Sequence, residues 1–314
     1  MDGDTNSFLR QIEDLDTQNL RRPFAIVGFG GWIDAGFAAT GAIKFLVDNL
    51  SATRIADLDP EPFYSFTDTR PRVAHPAPGI REPVWPKAEW HVVHMPEDVP
   101  HDLILFSAPE PNLRWRTFST TILDVFQRLG TETMVSFGAV LAPVHHRATP
   151  PMRGWATTDA LRTLLRRRQI GSGRYEGPTG ITTVLLAGAR DRGIPAFSLS
   201  TSSPSYLTDM PNPRASAALL RMASEISAIP LTLNELDAES RVVAERIDQF
   251  LAERPELKEA VERLPFTAEP ETGPSSLSAD ELPAELPSSA AVLQDLEEFL
   301  KSLRKENGGA TTEN

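Results

Sequence analysis

The 314-residue chain has no cysteine. That excludes disulfide staples, thiolate metal sites and cysteine nucleophiles, and it fits a cytosolic protein. No stretch approaches the roughly 18 consecutive apolar residues of a membrane span. The opening MDGDTNSFLRQIEDLD lacks a basic segment followed by an apolar one, so no secretory signal is expected. Basic residues are in deficit, 31 Lys and Arg against 43 Asp and Glu, for a net charge of −12. Such a chain repels phosphate backbones and anionic lipid, so neither nucleic acid nor a membrane is an expected partner. Two motifs are also missing. There is no G-x-x-x-x-G-K-[ST] loop to cradle a nucleotide, and no G-x-S-x-G elbow to present a serine nucleophile.

What is present is a chain with 40% hydrophobic residues, long enough for one large α/β domain with appendages. Residues 1–22 form a polar lead-in, with one helical turn expected around Phe8–Ile12. Short apolar runs predict strands over 24–30, 53–66 (a strand and an extended piece), 89–95, 101–107, 132–142 and 196–201. Helical spacing predicts helices over 37–50, 117–129, 158–168, 180–190 and 213–227. Prolines and glycine make 71–86 a loop. Strands alternating with helices imply a mainly parallel sheet covered on both faces. Loops at the carboxyl ends of parallel strands gather on one edge, where ligands usually bind.

The core is placed at 23–229, followed by a helical region at 230–265 with helices near 235–253 and 256–264. Beyond it the acid is concentrated: from Phe266 onward there are ten Asp or Glu and three Lys or Arg. Residues 266–289, rich in proline, serine and acid, read as a disordered linker. Residues 290–306 read as an amphipathic helix with Val292, Leu296, Phe299, Leu300 and Leu303 on one face. It either docks a partner or packs on its own domain. Residues 307–314 are expected to be a disordered tail. The basic run at 162–177 reads as a solvated helix face with Leu161, Leu164 and Leu165 inward. The acidic linker folding back on it is the alternative.

The stretch AIVGFGGWIDAGF, from Ala25, raises the question of a dinucleotide. Gly28 and Gly30 fit the fingerprint G-x-G-x-x-G, but its third position is Ile33, which would block close helix–strand packing. Asp34, at the start of the helix, would repel a pyrophosphate and can instead cap free N–H groups. The glycines at 28, 30 and 31 then serve a sharp turn, and no cofactor is expected.

Further motifs bear a resemblance. GFGGWIDAG, EPNLRW, YEGPTGI, RGIPAFSLSTSSPSY and PNPRASAALL, in this order and spacing, resemble the proteasome assembly chaperone 2 family in its actinobacterial form. The resemblance covers about Phe24 to Ile229. It implies a three-layer α/β/α fold like that of the purine nucleoside phosphorylases, with a mainly parallel or mixed sheet and a helical C-terminal region. It also implies a cytoplasmic homo-oligomer with protein partners, proteasome α subunits among them. The hydrophobic–Tyr–any tripeptide with which such chaperones dock into α-rings is not matched by Thr312-Glu313-Asn314.

Four loops following strands carry polar groups able to converge on one rim. They offer Gly30, Gly31, Trp32 and Asp34, then Glu110, Asn112, Arg114 and Trp115, then His145, His146 and Arg147, and finally Ser202, Ser203 and Tyr206. Under an enzyme reading Glu110 is the acid or base, Arg114 or Arg147 clamps an anion, and His145 titrates near neutrality. Under a structural reading Glu110 pairs with Arg114, and Tyr206 is a half-buried ring with a bonded hydroxyl. Adjacent histidines do not face one metal, so no metal site is expected. A protein acting through protein contacts needs an exposed apolar patch, whereas an enzyme needs a pocket where Glu110, Arg114 and His145 meet.

Overall fold

The computed structural model describes residues 8–15, 18–173, 176–208 and 210–266. The expected linker, terminal amphipathic helix, tail and last tripeptide lie outside the described residues, except for Phe266.

Eight strands make one sheet: β1 (Leu9–Gln11), β2 (Phe24–Gly30), β3 (Thr53–Leu58), β6 (Glu89–Val93), β7 (Leu103–Pro109), β8 (Thr133–Ala142), β9 (Arg153–Ala156) and β10 (Ala196–Pro204). They run in the order β1-β3-β6-β7-β2-β8-β10-β9. The four central strands, β7-β2-β8-β10, are mutually parallel. Both flanks are antiparallel, so the sheet is mixed rather than mainly parallel. The expected helical turn near Phe8 is instead strand β1, which pairs Leu9 with Leu58. The expected loop at 71–86 holds a small two-stranded sheet, β4 (Arg72–Ala74) on β5 (Glu82–Val84).

The alternation of side chains along the strands builds two cores. In β2, Ala25, Val27 and Phe29 join Ile104 and Phe106 of β7 under α2 (Trp115–Arg128) and α4 (Ile181–Asp191). Phe24 and Ile26 face the other way, with Leu103, Leu105, Val135 and Phe137, under α1 (Ala38–Asn49), α3 (Asp159–Arg167) and α5 (Pro213–Ser227). Helices on both faces of one sheet make three layers, α/β/α. Phe106 and Phe63 each meet Phe118 in an edge contact, with the Phe63 and Phe118 centroids 5.2 Å apart. Each such ring, fully buried, stabilises the fold by about 1.5–3 kcal/mol. Helices α6 (Asn234–Ala252) and α7 (Pro255–Glu262) occupy the predicted C-terminal helical stretches. They pack Ile247, Phe250, Leu257 and Val261 against Leu207 and Met210 of the segment that follows β10.

Gly28 is extended within β2, not in a turn. A Cβ there would sit 2.8 Å from Ile43 Cδ1 and 3.0 Å from the Ala39 carbonyl oxygen. This glycine lets α1 lie directly on the sheet. The close approach that the fingerprint assigns to its third glycine is made here by the first one.

Candidate functional site

The carboxyl ends of β2, β7, β8 and β10 form one rim, and the predicted residues divide along it into three groups.

The first group is the excursion after β2. Gly28 pairs with Phe137 and Asp34 with Ala139, so six residues of chain cover a two-residue advance along β8; Phe29 and Gly30 stay paired with β7, and residues 31–33 loop out. Gly31 makes the bend with φ at 132°. Trp32 projects into solvent, 56% exposed. A single 3-10 turn, Ala35–Phe37, then leads into α1. Gly36 within it has φ at 65°, and a Cβ there would lie 2.7 Å from Ser203 Oγ. Phe37 also adopts the left-handed region, φ 50°, while 47% exposed.

Asp34 caps α1, as expected, but from beyond this turn. Its Oδ1 accepts from the N–H groups of Ala39 (2.7 Å) and Thr40 (3.2 Å), and its Oδ2 accepts from Thr40 Oγ1 (2.5 Å). Burial raises its pKa from 3.8 to about 6 despite these bonds.

The second group follows β7. Glu110 does not pair with Arg114. Its Oε1 accepts from Ile181 N at 2.7 Å and so caps α4. Arg114 lies over the Phe8 ring, 5.9 Å from its centroid. Asn112 accepts from Ser65 N (2.9 Å) and Thr69 Oγ1 (3.0 Å), which fixes the segment after β3. Trp115 Nε1 donates to the Pro111 carbonyl.

The third group joins the loop after β8 to α6. His146 meets Tyr206 Oη at Nδ1 and Asp248 Oδ1 at Nε2, each 2.8 Å away, and its backbone N–H donates to Tyr206 Oη. Tyr206 therefore donates to Nδ1, and the Nε2 proton lies toward the carboxylate. Arg147 also donates to Asp248, at 2.8 Å from Nε and by a second bond from its terminal nitrogen. Burial lowers the His146 pKa from 6.5 to about 4, so the ring is neutral near pH 7. Burial pushes the Tyr206 hydroxyl up. Asp248 is held below the usual carboxylate range: burial opposes this, but the hydrogen bonds from Arg147 and His146 prevail. His145 stacks between His146 and Phe266, at 4.2 and 4.4 Å, and burial lowers its pKa too. Ser203 is fully buried and accepts from Asn212 Nδ2.

Glu110, Arg114 and His145 thus reach separate partners: Ile181, Phe8 and Phe266. Among the described residues, no cluster of three His, Asp or Glu is arranged to hold a metal, and no helix is long and apolar enough to cross a membrane. Sequence reasoning missed Asp248, Gly36, and Arg72 with Lys87. Arg72, on β4, and Lys87, between β5 and β6, line an open cleft of about 510 Å³. Trp32, Asp34, Phe37 and Thr40 line the same cleft, and Ser107 with Pro109 contributes from β7.

Taken together, this is a three-layer α/β/α protein in which side chains of the chain itself cap three of the helices that start at the rim: Asp34 on α1, Glu110 on α4 and Asn212 on α5. It matches the PAC2 family over residues 28–251, from β2 into α6, and belongs to that family. It is similar to a PAC2 family protein of Streptomyces avermitilis, with 34% identity and a TM-score of 0.68, over 76% of this chain and 99% of that one. A Mycobacterium tuberculosis protein described as a proteasome-assembly chaperone homologue matches at 33% identity and a TM-score of 0.68, over 76% and 99% of the two chains. The Pyrococcus furiosus archaeal proteasome activator PbaB shares the fold at 20% identity and a TM-score of 0.61, over 77% and 97%. Comparison with curated proteins gave no match.

Proposed function

We propose that the protein is an assembly-chaperone-like factor that acts through protein–protein contacts, with proteasome α subunits as its partners. The observation that carries this reading is the apolar exposure around the rim. Trp32 and Phe37 stand out on the excursion after β2. The facing hairpin shows Val73, Ile80, Val84 and Trp85, each at least 40% exposed. Leaving such side chains in water forgoes about 1.5–3 kcal/mol apiece relative to burial. The left-handed backbone at Phe37 adds strain of about 1 kcal/mol. Folding gains nothing from either, and a partner that covers the rim recovers the burial of these side chains. The mycobacterial relative described as an assembly-chaperone homologue supports the class of partner. Cytoplasmic placement and self-association belong to the same proposal.

The test is reconstitution of a bacterial proteasome from separate α and β subunits, followed on native gels. The chain is expected to speed particle formation and to co-migrate with α subunits. A Trp32→Ala, Phe37→Ala, Trp85→Ala triple variant with an unchanged circular dichroism spectrum should lose both effects. Unaltered assembly kinetics together with no co-migration would rule the reading out.

A further inference from the structure

We propose that the cleft between the β2 excursion and the β4–β5 hairpin binds a small organic anion with a flat apolar ring, the anionic group held by Arg72 and Lys87 and the ring lying on Trp32. The cavity, about 510 Å³, is in the range of pockets that take drug-sized molecules. Its charge is opposite to that of the chain as a whole. The protein carries −12, yet two exposed cations face this cleft. Arg72 has no carboxylate partner among the described residues, and Lys87 reaches only Glu89, at 3.5 Å. A guanidinium and an ammonium on one wall focus an attractive field on an entering anion.

The aromatic part of the lining sets what else that anion must be. Trp32 and Phe37 offer ring faces, and the backbone holds them there through left-handed or unusual φ values at Gly31, Gly36 and Phe37. The rim also excludes the commonest anionic ligand. The first-turn N–H groups of α1 that would cradle a pyrophosphate are taken by Asp34, whose carboxylate stands in the same cleft. A ligand with one carboxylate or sulfonate at Arg72 and Lys87 and an aromatic body at Trp32 satisfies both kinds of lining group. Ser107 and Thr208 also line the cleft; Thr208 Oγ1 donates to the Ser205 carbonyl and so faces a polar substituent as an acceptor.

This site shares Trp32 and Phe37 with the surface of the chaperone reading, but it does not require that reading and is tested on the purified full chain alone. The probe is 8-anilinonaphthalene-1-sulfonate, an aromatic anion, titrated by fluorescence and calorimetry. Its uncharged analogue N-phenyl-1-naphthylamine is the control. One sulfonate probe per chain is expected, bound at least about tenfold more tightly than the neutral analogue. Arg72→Ala with Lys87→Ala, both exposed and outside the core, should weaken it by about tenfold or more. Trp32→Ala should weaken both probes, while Trp155→Ala, an exposed ring on β9, should leave both unchanged. Equal affinity for the two probes, or a double variant that binds the sulfonate as well as the parent chain, would overturn the proposal and leave only a sticky apolar surface. Loss of proteasome partners in the reconstitution assay would not touch it.

Discussion

Asp34 is a carboxylate kept out of water, and its titration shows what that does to stability. The unfolded chain releases this proton near pH 3.8, whereas the folded chain keeps it until about pH 6. Between those values the folded state binds more protons, so this residue's contribution falls as pH rises and levels off above pH 6. Across the whole interval the decline amounts to roughly 3 kcal/mol. Asp34→Asn keeps an oxygen for the Ala39 N–H and cannot ionise. Urea unfolding across this window should therefore show the decline in the parent chain and its absence in the variant. Equal slopes in the two proteins would mean that the carboxylate titrates as if exposed. The capping role of Asp34 was legible because an acid just before an apolar helical pattern has a local geometry. The need for Gly36 was not: it comes from Ser203 and Asn212, which are brought close only by the finished fold.

Helix α6 is held to the rim by a short chain of polar contacts from Tyr206 through His146 to Asp248, with Arg147 beside it. His146 titrates in the opposite sense to Asp34. Unfolded, it gains a proton below pH 6.5; folded, it resists until about pH 4. The stability it contributes is complete above pH 6.5 and is lost as the pH falls toward 4. Hydrogen exchange of α6 and α7, corrected for intrinsic rate, should be faster at pH 5 than at pH 7.5. Asp248→Asn should speed it at both, by an amount corresponding to about 1 kcal/mol, because Asp248 is 43% exposed and water screens the pair. Unchanged protection in the variant would show that the apolar contacts of Ile247 and Phe250 hold the helix alone. These elements also show what a sequence reveals. Central strands advertise themselves as continuous apolar runs, and α5 by Asn212 and Pro213 at its start, as the structure bears out. Strands β1 and β9 have three and four residues and borrow their geometry from β3 and β10, so no local pattern marks them. The pairs of the rim are equally silent: Glu110 and Ile181 are 71 positions apart, and Arg147 and Asp248 are 101.

For the whole molecule, the opposing titrations of Asp34 and His146 overlap between about pH 4 and 6, so global unfolding alone reports their difference and local probes are needed to separate them. The same scale decides how copies of the chain can meet. Among the described residues the sheet ends on both sides in its shortest strands, one of which, β9, is also bridged through Arg153 to Gly171. Short flanks give a neighbouring backbone little to join. If copies associate, sedimentation velocity should show it together with cross-links at the rim or on helix faces. Cross-links concentrated between two β9 strands would contradict this. Edges this short among the described residues disfavour growth into ribbons by adding strand to strand, so that aromatic rings can stand in water at one end without a long flat edge beside them to propagate a stack.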